Sequence, residues 1–157
     1  VVVLAALYTA RIIAGGVATN IPLSFWLLAF SMFLFLSLAL VKRHTELTVM
    51  RANGVTAAAG RGYRIDDLPL LGALGGASGF LAVLVLALYI NSRDSERLYD
   101  HPQLLWLLCP LLLYWISRMW LLTFRGRMHD DPLMFALRDP ASLLVFAFSV
   151  LAVLLAI

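Results

Sequence analysis

Charge is scarce in this chain. The 12 Lys and Arg and 9 Asp and Glu make up 13% of 157 residues, where a soluble domain carries roughly a quarter. Cysteine is all but absent. Cys109 stands alone, so no intrachain bridge can form and a secreted disulfide scaffold is excluded. The alternating short strands of an outer-membrane barrel are missing. So are CxxC, HExxH and Ser-His-Asp patterns. Gly60-Arg61-Gly62 is no nucleotide loop, because no strand precedes it and no GxGxxG or Walker pattern surrounds it.

What fills the chain is apolar. Hydrophobic residues reach 62% and the mean hydropathy is +0.92, which excludes a water-soluble globule and a disordered tail. The chain begins inside an apolar run, with no Met and no charged leader. It is therefore expected to be a piece of a longer membrane protein rather than one opening on a signal peptide.

A bilayer core about 30 Å thick takes roughly 20 apolar residues of helix, and lipid leaves helix as the reasonable way to satisfy the backbone. The expected fold is all-α, a single polytopic transmembrane domain. Five spans are predicted, at about 1–17, 23–41, 68–90, 102–124 and 140–157. Asp139-Pro140 and Asp131-Pro132 each place a capping carboxylate before a helix-opening proline, and Asp66 is expected to act likewise before Asp67-Leu68-Pro69.

The loops then set an orientation. Lys42, Arg43, Arg51, Arg61, Arg64, Arg125, Arg127 and Arg138 fall on one side, and Arg93 and Arg97 on the other. Eight against two makes the first side cytoplasmic. The two long polar connectors, 42–66 and 125–139, are predicted to share it.

Those connectors hold most of the titratable residues. Lys42 and Glu46 lie one turn apart if the second helix continues, forming either a surface ion pair or the mouth of a polar cavity. His129, Asp130 and Asp131 either ligate a hard divalent ion such as magnesium or make an ordinary polar turn. Arg51, Arg61 and Arg64 either draw anionic headgroups or only mark the cytoplasmic side. Arg11 and Arg118 sit within apolar spans, where charge costs several kcal/mol (roughly) unless it faces the bundle interior or water. Each is a candidate anion clamp. Gly72, Gly75, Gly76 and Gly79 make two overlapping GxxxG spacings for close helix approach. Cys109 is expected to be an inert buried thiol.

Three stretches, taken in order, resemble the UbiA superfamily of membrane prenyltransferases. They run from Leu7 through Arg11 to Gly16, from Ser24 through Lys42 and Glu46 to Leu47, and from Ser117 through Arg125 and Asp131 to Asp139. The last is most similar to the decaprenyl-phosphate phosphoribosyltransferase-like branch. The resemblance implies a nine-helix bundle with a cavity facing the cytoplasm, of which this chain would be the last five helices. It also implies a bacterial inner membrane and an active side on the cytoplasm. The family's second acidic motif, DxxxD, is matched by Lys42-x-x-x-Glu46. One carboxylate is kept and the other is replaced by an ammonium. Its first acidic motif would lie outside this chain, so the isolated chain is expected to be inactive.

By that resemblance, Lys42 and Glu46 would be catalytic. Arg43, Arg11, Arg118 and Arg125 would bind substrate phosphate, and Glu46, Asp130 and Asp131 would hold Mg2+. The expected partners are a polyprenyl lipid, a phosphorylated sugar or aromatic co-substrate, and the N-terminal remainder of the protein, with no nucleic acid. Replacing a carboxylate by Lys42 suits a phosphate-rich pair such as a polyprenyl monophosphate and phosphoribosyl pyrophosphate. The alternatives are prenyl transfer from a prenyl diphosphate to an aromatic acceptor, or a non-enzymatic transporter or anchor bundle. A transporter would show an inverted repeat of broken helices, and none is evident.

Overall fold

The computed structural model describes residues 1–19, 24–54, 62–128 and 131–157. The helices are α1 (Val2–Thr19), α2 (Phe25–Ala52), α3 (Leu68–Ile90), α4 (Arg93–Leu98), α5 (Leu108–Phe124), α6 (Pro132–Arg138) and α7 (Pro140–Ala156). Short 3-10 turns, Ile65–Asp67 and Pro102–Leu107, lead into α3 and α5. The all-α expectation holds among the described residues.

Three helical stretches are long and apolar enough to cross a membrane: Phe25–Ala52, Ile65–Ile90 and Pro102–Phe124. The bent pair α6–α7 makes a fourth if counted as one span, and the apolar part of α1, Val2–Ala18, is shorter.

The second helix differs most from expectation. The apolar span is expected to end near Val41, where hydropathy falls, with the helix either stopping there or continuing. Neither Gly nor Pro occurs between Phe25 and Ala52, so nothing in the backbone stops the helix there. It runs on to Ala52 and ends at Asn53, whose N–H reaches Val49 and Met50 carbonyls, followed by Gly54 at φ 71°. At 1.5 Å per residue α2 is about 42 Å long, more than the bilayer core needs. Lys42, Arg43, His44 and Glu46 are therefore helical, not loop residues.

Two prolines explain the other breaks. Pro110 has no N–H and would clash with the carbonyl four residues back, so 102–107 is a 3-10 turn and the α-helix begins only at Leu108. Asp139 precedes Pro140 and is extended (φ −80°, ψ 120°), as pre-proline sterics favour. The chain turns by 82° there, between α6 and α7. Asp131 accepts from the Leu133 N–H at 3.3 Å and Asp139 from the Ser142 N–H at 2.8 Å, the two caps expected. The third expected cap does not form: Asp67, not Asp66, precedes α3 and its carboxylate accepts no N–H of that helix, taking instead the Arg64 N–H at 2.8 Å within the 3-10 turn Ile65–Asp67.

The centre is built by α2, α3 and α5. Ser37 of α2 is buried, donates to the Gly75 carbonyl at 2.7 Å and accepts from the Trp120 indole N–H at 3.2 Å. The glycines of α3 make room for this. A Cβ on Gly75 would overlap the Trp120 indole, one on Gly72 the Phe124 ring, and one on Gly79 would come within 2.6 Å of Ile116. Ile116, Trp120 and Phe124 recur every four residues on α5 and form one ridge. The glycine spacing in use is 72, 75, 79, whereas Gly76 faces open space.

Gly75→Ala should therefore lower the thermal midpoint of the purified protein, by overpacking worth about 1–3 kcal/mol. Gly76→Ala should leave the midpoint unchanged or raise it, since alanine is the better helix former. Equal midpoints for the two variants would contradict this packing.

Candidate functional site

Extending α2 carries its polar turns alongside the end of α5 and the connector that follows. His44 points inward. Its ring meets Phe124 edge-on at 4.8 Å and Trp120 at 6.0 Å, and Thr48 Oγ1 lies 3.4 Å from Nδ1. This buried packing fixes the helix rotation, so Lys42, Arg43 and Glu46 emerge on a defined side.

Lys42 Nζ donates to Asp131 Oδ2 at 2.6 Å. Lys42 and Asp131 are 89 residues apart in sequence, so the two polar connectors meet at this point. The expected Lys42 partner was Glu46. Instead Glu46 is paired with Arg43, one turn along the same helix. The Arg43 guanidinium also lies over the Tyr63 ring, 5.5 Å from its centroid, and its buried Nε has no hydrogen-bond partner among the described residues.

Arg118 is engaged differently. It grips Asp139 with two hydrogen bonds, at 2.6 and 2.9 Å. Asp139 also accepts from the Ser142 hydroxyl at 2.8 Å, and that hydroxyl accepts from the Trp115 indole at 3.0 Å. This network pins the start of α7 to α5. The two ion pairs differ in exposure: side chains are 46% and 38% exposed for Lys42 and Asp131, against 28% and 9% for Arg118 and Asp139. An exposed pair exchanges partners at little cost, under about 1 kcal/mol, whereas a bidentate, mostly buried pair is hard to break.

The remaining expected site residues lie apart. Arg11 is exposed near the middle of α1 rather than turned into the bundle, and Arg125 is exposed at the end of α5, its N–H bonded to Leu121. Asp130, with His129 and Arg61, lies outside the described residues.

The magnesium expectation does not fit the described side chains. Glu46 is held by Arg43 and Asp131 by Lys42, so each carboxylate is already neutralised by a cation. Among the described residues no group of three His, Cys, Asp or Glu gathers. The recess beside Lys42 and Asp131, walled by Tyr8, Leu38 and Pro132, measures about 20 Å3, enough for one water. The polar cavity expected at this mouth is therefore shallow. Larger hollows lie elsewhere. One of about 310 Å3 is bordered by Trp26, Phe30, Leu86, Tyr89 and Tyr99. Another, of about 360 Å3, is an apolar groove between α5 and α7.

Asp139 as the partner of Arg118, and Ser37 as the junction of three helices, were not anticipated. A signal existed for the first. An arginine inside an apolar span requires a carboxylate at its own depth, and Asp139 opens the next apolar helix.

The chain is 40% identical over 144 residues to the uncharacterized protein y4nM of Sinorhizobium fredii, a match covering 90% of this chain and 28% of that protein. It is 38% identical over 144 residues to the nodulation protein NoeC of Azorhizobium caulinodans, covering 90% of this chain and 46% of that protein. The chain thus spans less than half the length of either relative. No family model matches it, and no solved structure does.

The Lys42 ammonium, hydrogen-bonded to Asp131, holds that carboxyl below its ordinary value of 3.8, against the opposing effect of burial. A depressed folded-state value means the tie contributes fully above pH 3.8 and is lost as pH falls through the lower folded value. Asp131→Asn should therefore cost less than about 1 kcal/mol near neutral pH and should reduce the loss of stability on strong acidification. Asp139→Asn, which unpairs Arg118, should cost about 2 kcal/mol or more. Denaturation of both variants at pH 7 and pH 3 checks the order.

Proposed function

We propose that this chain is the membrane-embedded C-terminal part of a UbiA-type transferase that moves phosphoribose from phosphoribosyl pyrophosphate to a polyprenyl phosphate. The observation supporting this reading most is the Lys42–Asp131 contact. It brings together the two connectors that carry the family-like residues. In this reading α1 and the bent α6–α7 pair complete five crossings of a bacterial inner membrane, with the site on the cytoplasmic side.

The reaction forms a bond between a lipid phosphate oxygen and the anomeric carbon of the ribose. The bond from that carbon to pyrophosphate breaks, and the leaving group takes the electron pair. The protein must position two anionic reactants and stabilise the departing charge. Lys42 and Arg43 suit the first task. Each is paired with a carboxylate that a phosphate, carrying more charge and more acceptor oxygens, can replace. Tyr63 supports the Arg43 guanidinium during such an exchange. Glu46, released from Arg43, becomes an acceptor for ribose hydroxyls. Arg118 serves the fold by holding Asp139, and the upstream part of the protein supplies the rest of the cavity.

Membranes containing the protein at its full natural length, given labelled phosphoribosyl pyrophosphate and polyprenyl monophosphate, should place label in the lipid fraction. Lys42→Ala and Glu46→Gln should each lower the rate at least about 100-fold, the scale of removing a positioned electrostatic contact. Full activity in both variants removes them from the site. No incorporation, with prenylation of an aromatic acid from a prenyl diphosphate instead, reverses the assignment to the aromatic branch. Neither reaction would leave a non-enzymatic bundle.

A further inference from the structure

The 82° turn at Asp139-Pro140 has a consequence for α6. If α7 crosses the bilayer, α6 lies close to the membrane plane. Its residues divide by face. Pro132 is buried and Phe135 packs against the core. Leu133, Met134 and Leu137 are 45%, 44% and 68% exposed. At positions i, i+1 and i+4, these three share one face of a helix. Three exposed arginines bracket α6 in the sequence: Arg125 and Arg127 at the start of the 125–139 connector, and Arg138 at the end of the helix.

An exposed apolar strip on a short helix bracketed in sequence by exposed cations, and turned across the following apolar helix, matches the chemistry of an anionic leaflet. The apolar side chains enter the boundary between headgroups and acyl chains. The arginine stems follow them while the guanidinium groups reach lipid phosphates. We infer that α6 is an interfacial anchor that docks on a bilayer surface containing anionic phospholipid. The charge complementarity selects lipid over a second protein: a protein groove for Leu133, Met134 and Leu137 would not call for three cations bracketing the helix. Docking also positions Asp131, the first residue before α6, for its contact with Lys42. The inference rests on membrane embedding and not on the transferase reading.

The test uses the full-length protein carrying Cys109→Ala, with one environment-sensitive fluorophore attached through Leu137→Cys or, separately, Met134→Cys. Phe146→Cys, exposed on α7, serves as the control for correct insertion. Each protein is reconstituted into vesicles of phosphatidylcholine alone or with phosphatidylglycerol. At 137 and 134, anionic vesicles should give blue-shifted emission, quenched by lipids brominated near the headgroup. The shift should be smaller in phosphatidylcholine alone. Arg127→Gln with Arg138→Gln should move anionic-vesicle emission back toward that smaller shift, with the 146 signal unchanged. Emission at both sites that aqueous iodide quenches in both lipids overturns the inference. So does blue-shifted emission that brominated lipid fails to quench, which would mean a protein surface covers the strip.

Discussion

A single hydroxyl holds the centre of this molecule. Ser37 is buried where α2, α3 and α5 converge, and both its hydrogen-bonding roles are used: it donates to a carbonyl of α3 and accepts from an indole of α5. Buried between apolar side chains, such a group must be satisfied or it costs stability. Here it is satisfied by two different helices, which fixes rotation as well as proximity. The contact is open only because Gly75 leaves space for the indole. His44, two turns further along α2, repeats the constraint against Trp120 and Phe124. Helix rotation is thereby set over the length that delivers Lys42, Arg43 and Glu46 to the polar end.

That end contains two kinds of ion pair with different uses. Arg118–Asp139 is bidentate, largely enclosed and tied into Ser142 and Trp115. It belongs to the architecture, because removing one partner would strand a charge in a poorly hydrated place. Lys42–Asp131 is the more exposed pair, while Arg43 is mostly enclosed and Glu46 partly so. A pair as exposed as Lys42–Asp131 contributes under about 1 kcal/mol, so its loss to another anion costs the fold little. The pairing gives Arg118 a structural role in holding Asp139, and Lys42 and Arg43 are the cations proposed for a phosphate-bearing guest.

Much of the fold was legible in the sequence because hydropathy and helix-stop chemistry agree over most of the chain. Asp139-Pro140 and Asp131-Pro132 marked helix starts correctly, since carboxylate caps and N-terminal prolines act locally. Where the two signals diverge, hydropathy alone does not give the helix bounds. Hydropathy ends at Val41, but helix propensity continues to Ala52. From Pro102 the expected span 102–124 holds, and within it Pro110 delays the α-helix until Leu108. The site was legible only in outline. That connectors 42–66 and 125–139 share an end follows from counting crossings. The pairing of Lys42 with Asp131 rather than Glu46 depends on rotation fixed at Ser37 and His44, which no local spacing encodes. The same holds for Arg11, whose exposure on α1 is decided by how α1 lies against α2.

The central claim is that the extended end of α2 meets the start of α6. Cysteine cross-linking in native membranes tests it most directly, using the full-length protein with Cys109→Ala, Lys42→Cys and Asp131→Cys. A short homobifunctional reagent should join positions 42 and 131 within one polypeptide, giving a species of altered mobility that persists on dilution. A control carrying Lys42→Cys with Ser92→Cys, at the far end of α3, should remain unlinked. Efficient linking of 42 to 92, with none of 42 to 131, would place the two polar connectors at opposite ends and contradict the account.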